Sequence, residues 1–157
     1  MKIGIIADSH DNLPKIKKAV EIFNKQNVEL VLHAGDFVAP FSLIPLDDLK
    51  CEYLGVFGNN DGERNGLTQK AGGRVSEAPR VINRISKTIL LAHSLDQISL
   101  QNQSVNMVVY GHTHSPLARM DKGVLWLNPG ECCGWLTGIA SVAVVDLRTL
   151  AYQIINL

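Results

Sequence analysis

Residues 3–10 read Ile3-Gly4-Ile5-Ile6-Ala7-Asp8-Ser9-His10, an apolar run that breaks abruptly into polar residues. A run this short and rich in β-branched residues favours a buried strand over a helix. The same break recurs down the chain. Leu30 to Leu32 leads into His33-Ala34-Gly35-Asp36, and Tyr53 to Phe57 leads into Gly58-Asn59-Asn60-Asp61. Ile89 to Ala92 leads into His93-Ser94, and Met107 to Tyr110 into Gly111-His112-Thr113-His114. Val124 to Leu127 and Val142 to Val145 complete the buried runs. Asp146-Leu147-Arg148-Thr149 and Tyr152 to Ile155 then read as a closing hairpin.

Between the first two runs the period changes. Ile16, Ala19, Val20 and Phe23 fall at i, i+3, i+4 and i+7, with Lys15, Lys17, Lys18, Glu21 and Lys25 opposite, which predicts an amphipathic helix. Asn12 is its candidate N-cap, and Pro14 sits where a missing N–H costs nothing. Weaker helical patterns cover Pro40 to Leu49, Glu63 to Ala71 (ended by Gly72-Gly73) and Leu95 to Gln103. The first half alternates strand and helix, and the second is richer in strands. That order predicts one α/β domain over 1–157, either two packed sheets or a mixed sheet flanked by helices.

Composition narrows the functional classes. The chain has 157 residues, 46% apolar and 19% charged, so one hydrophobic core without staples is expected. Fifteen basic side chains balance fifteen acidic ones, which disfavours a protein built to hold long nucleic acid. The three cysteines, Cys51, Cys132 and Cys133, are odd in number and two are adjacent, so no disulfide framework is expected. Ile3 to Ala7 is too short for a signal-peptide apolar region, and no run reaches membrane-spanning length. A soluble, cytoplasmic protein is the expectation.

Five predicted strands deliver Asp, His or Asn at their carboxyl ends, the edge where open α/β sheets bind ligands. Gly35, Gly58 and Gly111 precede polar residues there, where the chain turns sharply or approaches a ligand closely. If His112-Thr113-His114 is extended, both imidazoles point to one side, which suits two neighbouring ions. Asp8, His10, Asp36, Asn59, His93, His112 and His114 offer oxygen and imidazole nitrogen without thiolate. That set suits Mn, Fe, Ni, Zn or Co better than Ca. It is too large for one catalytic ion with an open position and fits two ions sharing a carboxylate. His33 reads as a buried histidine closing its strand, outside the set. Cys132 and Cys133 read as structural thiols in the loop 131–138. Trp126 and Trp135 are expected to pack, Trp135 alternatively against a partner subunit.

The order Asp-x-His, Gly-Asp, Gly-Asn-x-Asp, His, Gly-His-x-His, continued by Asn128-Pro129-Gly130, resembles the calcineurin-like metallophosphoesterases. The likeness is strongest to their small single-domain phosphodiesterase branch of archaea and bacteria. The resemblance implies an αββα sandwich of two mixed β-sheets flanked by helices, with a dinuclear metal site at the strand ends. It matches Asp8, His10, Asp36 and His114 to one ion, and Asp36, Asn59, His93 and His112 to the other, so that Asp36 bridges. It implies hydrolysis of a small phosphoester, most readily a phosphodiester, by in-line attack of a metal-bridging hydroxide, with manganese the favoured metal. A homodimer is the weaker implication. Two departures stand out. Asn60 occupies the position where the larger family commonly has a histidine that protonates the leaving group. The segment between His93 and Met107 is also short. The alternatives are a non-catalytic interaction scaffold, as in the retromer subunit of this fold, and a nuclease or cyclic-nucleotide phosphodiesterase.

Overall fold

The computed structural model describes residues 1–100 and 104–157. In chain order the elements are β1 (Lys2–Ile6), α1 (Leu13–Lys25), β2 (Leu30–His33), β3 (Glu52–Val56), α2 (Arg64–Ala71), β4 (Val75–Ser76) and β5 (Arg80–Arg84). There follow β6 (Lys87–Leu91), β7 (Met107–Val109), β8 (Leu117–Asp121), β9 (Val124–Asn128), β10 (Ser141–Asp146) and β11 (Ala151–Asn156). They form two mixed sheets. The first has the order β11-β10-β1-β2-β3-β4, the second β5-β6-β7-β9-β8. β1 to β4 run parallel, with β10 antiparallel to β1 and β11 antiparallel to β10. In the second sheet β6, β7 and β9 are parallel, and β5 and β8 are antiparallel edges.

The apolar runs are continuous because both faces of the central strands are covered. Ile3, Ile5, Leu30, Leu32, Leu54 and Val56 meet Ile89, Leu91, Met107, Val109, Leu125 and Leu127 between the sheets. Ile6, Val31, Tyr53 and Val142 face the other way, onto Ile16, Ala19, Val20 and Phe23 of α1 and Leu67 and Ala71 of α2. Phe23 lies flat over Gly4, where a Cβ would come within 2.7 Å of its ring. On the outer face of the second sheet Leu90, Val108 and Tyr110 pack beneath Ile98, Leu100, Val105 and Trp126. Two mixed β-sheets, with helices on the first and a thin cover on the second, give the sandwich that the family resemblance implied.

α1 follows its predicted span, and the Asn12 side chain accepts from the Lys15 N–H as its cap. α2 ends in Gly72 with φ +59°, the left-handed turn that glycine adopts without penalty. Two predicted helices differ from expectation, and three strands are additional. Pro40–Asp48 is a 3-10 helix, since Pro45 brings no N–H to the ladder of an α-helix. The predicted helix Leu95 to Gln103 is a 3-10 turn at Leu95–Gln97, with residues 101–103 outside those described. Ser94 and Gln97 close a capping box around that turn, which stops it after one winding. β4, β5 and β8 are additional strands. They lie at sheet edges, half exposed, and carry no apolar run to announce them.

Candidate metal centre

Five strand ends meet over the seam between the two sheets. β1 presents Asp8 and His10, β2 presents Asp36, and β3 presents Asn59 from the first sheet. β6 presents His93, and β7 presents His112 and His114 from the second. The backbone there is bent hard. Asp8, His10, Asp36, His112 and His114 all have positive φ, between 38° and 66°. Non-glycine residues adopt that region at a cost of about 1–3 kcal/mol each, and such strain concentrates at functional sites. His112-Thr113-His114 is therefore not extended, and the condition under which both imidazoles point to one side is not met. The left-handed turns at both histidines send the imidazoles to different neighbours, His114 stacking on His10 with centroids 5.2 Å apart and His112 meeting His93 edge-on at 5.0 Å.

The donor atoms converge in two overlapping groups around Asp36. Ligand atoms of Asp8, His10, Asp36 and His114 lie within 4.8 Å of one another. Asp36 Oδ2 sits 3.4 Å from His10 Nε2 and 3.5 Å from His93 Nε2. Asn59 Oδ1 lies 2.7 Å from His93 Nε2 and 2.9 Å from His112 Nδ1. All seven residues expected from the sequence meet here. His33 does not join them. The Gly35 N–H donates to its Nδ1, which leaves the proton on Nε2 to donate to Ser9 Oγ at 2.9 Å. Stacked on Phe37 and buried, it braces the loops after β1 and β2, and burial holds its pKa well below the ordinary value.

Tautomers show what the cluster asks for. Ala34 O accepts at 2.8 Å from His93, so Nδ1 carries the proton and Nε2 turns a lone pair toward two oxygens. Glu131 Oε2 likewise takes the Nδ1–H of His114 at 2.8 Å, and His114 Nε2 faces Asp8 Oδ1 at 3.8 Å. His10 Nε2 is buried with no hydrogen-bond partner. Burial pushes the Asp8 carboxyl up to about 7, against the pull of His114. Lone pairs and buried carboxylates facing one another are the donor set of a cation, and hard oxygens mixed with imidazole suit a divalent transition metal.

The supporting shell was less legible. Asp61 is buried and accepts from the N–H groups of Asp36, Val38 and Gly58, tying the loops after β2 and β3 together. Glu131 is fully buried and takes donors from His114, Cys133, Leu136 and Thr137. Burial pushes its pKa up, but the hydrogen bonds from His114 and Thr137 outweigh this and bring it to about 2. Nothing in the sequence separates Glu131 from a surface acid except its place after Asn128-Pro129-Gly130. Glycines set the clearance. A Cβ on Gly58 would collide with the Asp36 carboxylate, and one on Gly111 would lie 2.8 Å from Asp8 Oδ2.

Asn60 lies at the rim. Its backbone N–H and its amide both donate to Asp36, at 2.8 and 2.7 Å. Cys132 and Cys133 are buried thiols as expected, and burial drives the pKa of Cys133 up to about 12, so it stays protonated beside Glu131. Trp126 packs as expected, beneath Arg119 at 5.6 Å. Trp135 does not pack. It is 66% exposed and, with Leu136, walls a cavity of about 460 Å³ that His10, Asp11, Val38, Asn60 and His114 also line.

Residues 1–150 match the family model of the calcineurin-like phosphoesterase superfamily domain. Phosphodiesterase MJ0936 of Methanocaldococcus jannaschii is 39% identical, the alignment covering 98% of this chain and 97% of that protein. A solved structure of a novel archaeal phosphodiesterase superposes with TM-score 0.91 at 37% identity over 100% of both chains. Vps29 of Entamoeba histolytica, solved with zinc, shares the fold at TM-score 0.74 and 18% identity, covering 100% of this chain and 98% of that one.

Proposed function

The chain belongs to the calcineurin-like phosphoesterase superfamily, and on that premise we propose that it is a divalent-metal-dependent phosphodiesterase acting on small phosphodiesters, as one domain over 1–157. The observation that carries this reading is the Asp36 carboxylate, whose Oδ2 has the His10 and His93 imidazole Nε2 atoms 3.4 and 3.5 Å away. Asp8, His10, Asp36 and His114 would hold one ion, and Asp36, Asn59, His93 and His112 a second. Manganese is the metal we favour, with Ni, Fe, Zn and Co compatible with the same donors. Divalent ions in such a pair supply Lewis-acid charge at a phosphoryl group and a water acidic enough to serve as nucleophile near neutral pH.

The protein's own groups do the rest. Ala34 O and Glu131 fix the tautomers of His93 and His114, so that each Nε2 arrives with its lone pair forward. Asp61 holds the Asp36 loop against the Asn59 loop. Asn60 supplies amide hydrogens at the rim but no titrating proton, so it orients rather than protonates. All seven positions keep ligand-competent side chains, which favours an enzyme over a scaffold of the same fold.

The test is a panel of phosphodiesters and monoesters assayed with metal-stripped protein reloaded with Mn, Ni, Zn or Mg, alongside elemental analysis. About two bound ions per chain and metal-restored diester hydrolysis are expected. Turnover without metal, or none with any metal, overturns the reading, as does an Asp36→Ala variant that retains both ions.

A further inference from the structure

Beside the donor cluster, the cavity of about 460 Å³ changes character. Its lining combines the polar His10, Asp11, Asn60 and His114 with the apolar Trp135, Leu136 and Val38. The volume falls in the range of small-molecule sites, and the cavity is open to solvent. Trp135 and Leu136 are 66% and 74% exposed, an unusual placement for two large apolar side chains next to buried carboxylates. They are not loose. Glu131 accepts from the Leu136 and Thr137 N–H groups, at 3.1 and 2.6 Å, and Asn12 donates to Cys133 O at 2.8 Å. The loop is thus tied at both its start and its middle to the elements that hold His114 and to the cap of α1. An indole carried on an anchored loop loses less freedom on stacking than one on a free loop.

The charge on the walls sets a second limit. Among the described residues the lining contains no lysine or arginine. An uncharged group beyond the reacting phosphorus therefore fits this lining better than a second phosphate.

We propose that the Trp135–Leu136 wall is the subsite for one ester group of the substrate, an uncharged group that carries a planar ring and is joined through oxygen to a single phosphodiester. The proposal rests on the phosphodiesterase reading and adds the class of organic group. Trp135 is a specificity-determining residue, touching the ester substituent rather than the phosphorus.

The experiment uses three diesters with one leaving group: methyl, phenyl and thymidine 5′ esters of 4-nitrophenyl phosphate. Wild type is expected to prefer a ring-bearing ester over the methyl ester in kcat/KM. Trp135→Ala is expected to lower that preference about tenfold, the size of one stacking contact, chiefly through KM. Trp135→Phe should restore most of it. Loss on the phenyl ester alone identifies an aryl group, and loss on the thymidine ester identifies a nucleobase. Either supports the subsite. An unchanged preference in Trp135→Ala overturns it, as does a wild-type dimer that becomes a monomer in that variant, since the indole would then be an interface residue.

A second arm keeps the subsite separate from the catalytic reading. Phenylphosphonate and methylphosphonate are titrated into metal-loaded protein by calorimetry. Tighter binding of the phenyl compound in wild type but not in Trp135→Ala supports the subsite even if no ester is hydrolysed, and equal binding overturns it.

Discussion

At the scale of single residues, Asn60 and Glu131 divide the labour of proton management. A carboxamide cannot release a proton at any useful pH, whereas a histidine in that place could. Leaving-group departure in this protein should therefore lack general-acid help, an effect typically of about 10²–10⁴-fold. Across substituted phenyl diesters the rate should fall steeply as the phenol becomes less acidic, and Asn60→His should flatten that dependence. A shallow slope in wild type would mean that another group supplies the proton. Glu131 works one bond further back. Glu131→Gln puts an amide where five donors point, so metal affinity measured by equilibrium dialysis should weaken about 10–100-fold, the usual effect of a partner behind a ligating histidine. Thr137→Val, which removes only the hydroxyl donor at 2.7 Å, should lower stability while leaving metal affinity nearly unchanged. The donors themselves are readable in the chain, because each lies within four residues of the end of an apolar run. Glu131 and Asp61 were not, because a buried acid is identified by which distant N–H groups reach it, and those come from other loops.

At the scale of elements, what could be read locally was read well. α1 carries its own period and its own cap, and both lie within one short stretch. Asn12 has a second duty, since its amide donates to Cys133 O across the molecule. Asn12→Ala should then cost more than a cap alone, which is worth about 1 kcal/mol. Urea denaturation should show a loss beyond that figure, and a smaller loss would mean that the tie to Cys133 is negligible. β5 and β8 escaped notice because an edge strand alternates exposure without an apolar run. The stretch 40–48 looked helical from its apolar content, but its prolines forbid the regular hydrogen-bond ladder. The same distinction explains Trp135: its sequence context is apolar enough to suggest burial, yet the loop that holds it has no core facing it.

For the molecule as a whole, the site belongs to neither sheet. Its first four donors come from one and its last three from the other, and the His112 N–H donates to the Asp8 carboxylate across the gap. Bound ions would therefore staple the sandwich, and binding is linked to folding. With free metal near 1,000 times its dissociation constant, the linkage is worth about 4 kcal/mol. For a chain of this size that corresponds to roughly 10 °C in Tm. Adding EDTA to the metal-loaded protein should produce a drop of that order, and a superimposable melting curve would show that the sheets hold together without the ions.

The order of strands in the first sheet has one further consequence, for the growing chain. β1 leaves the ribosome long before β10, yet β10 is its outer neighbour, joined through the pairing of Ile3 with Val145 and Ile5 with Ala143. Until β10 emerges, β1 has one flank of backbone N–H and C=O groups without a partner, set among some of the most apolar residues of the molecule. The donors from Asp8 to His114 are all synthesised inside that interval. Metal captured before β10 arrives would land on a half-built sheet whose open flank invites non-native pairing.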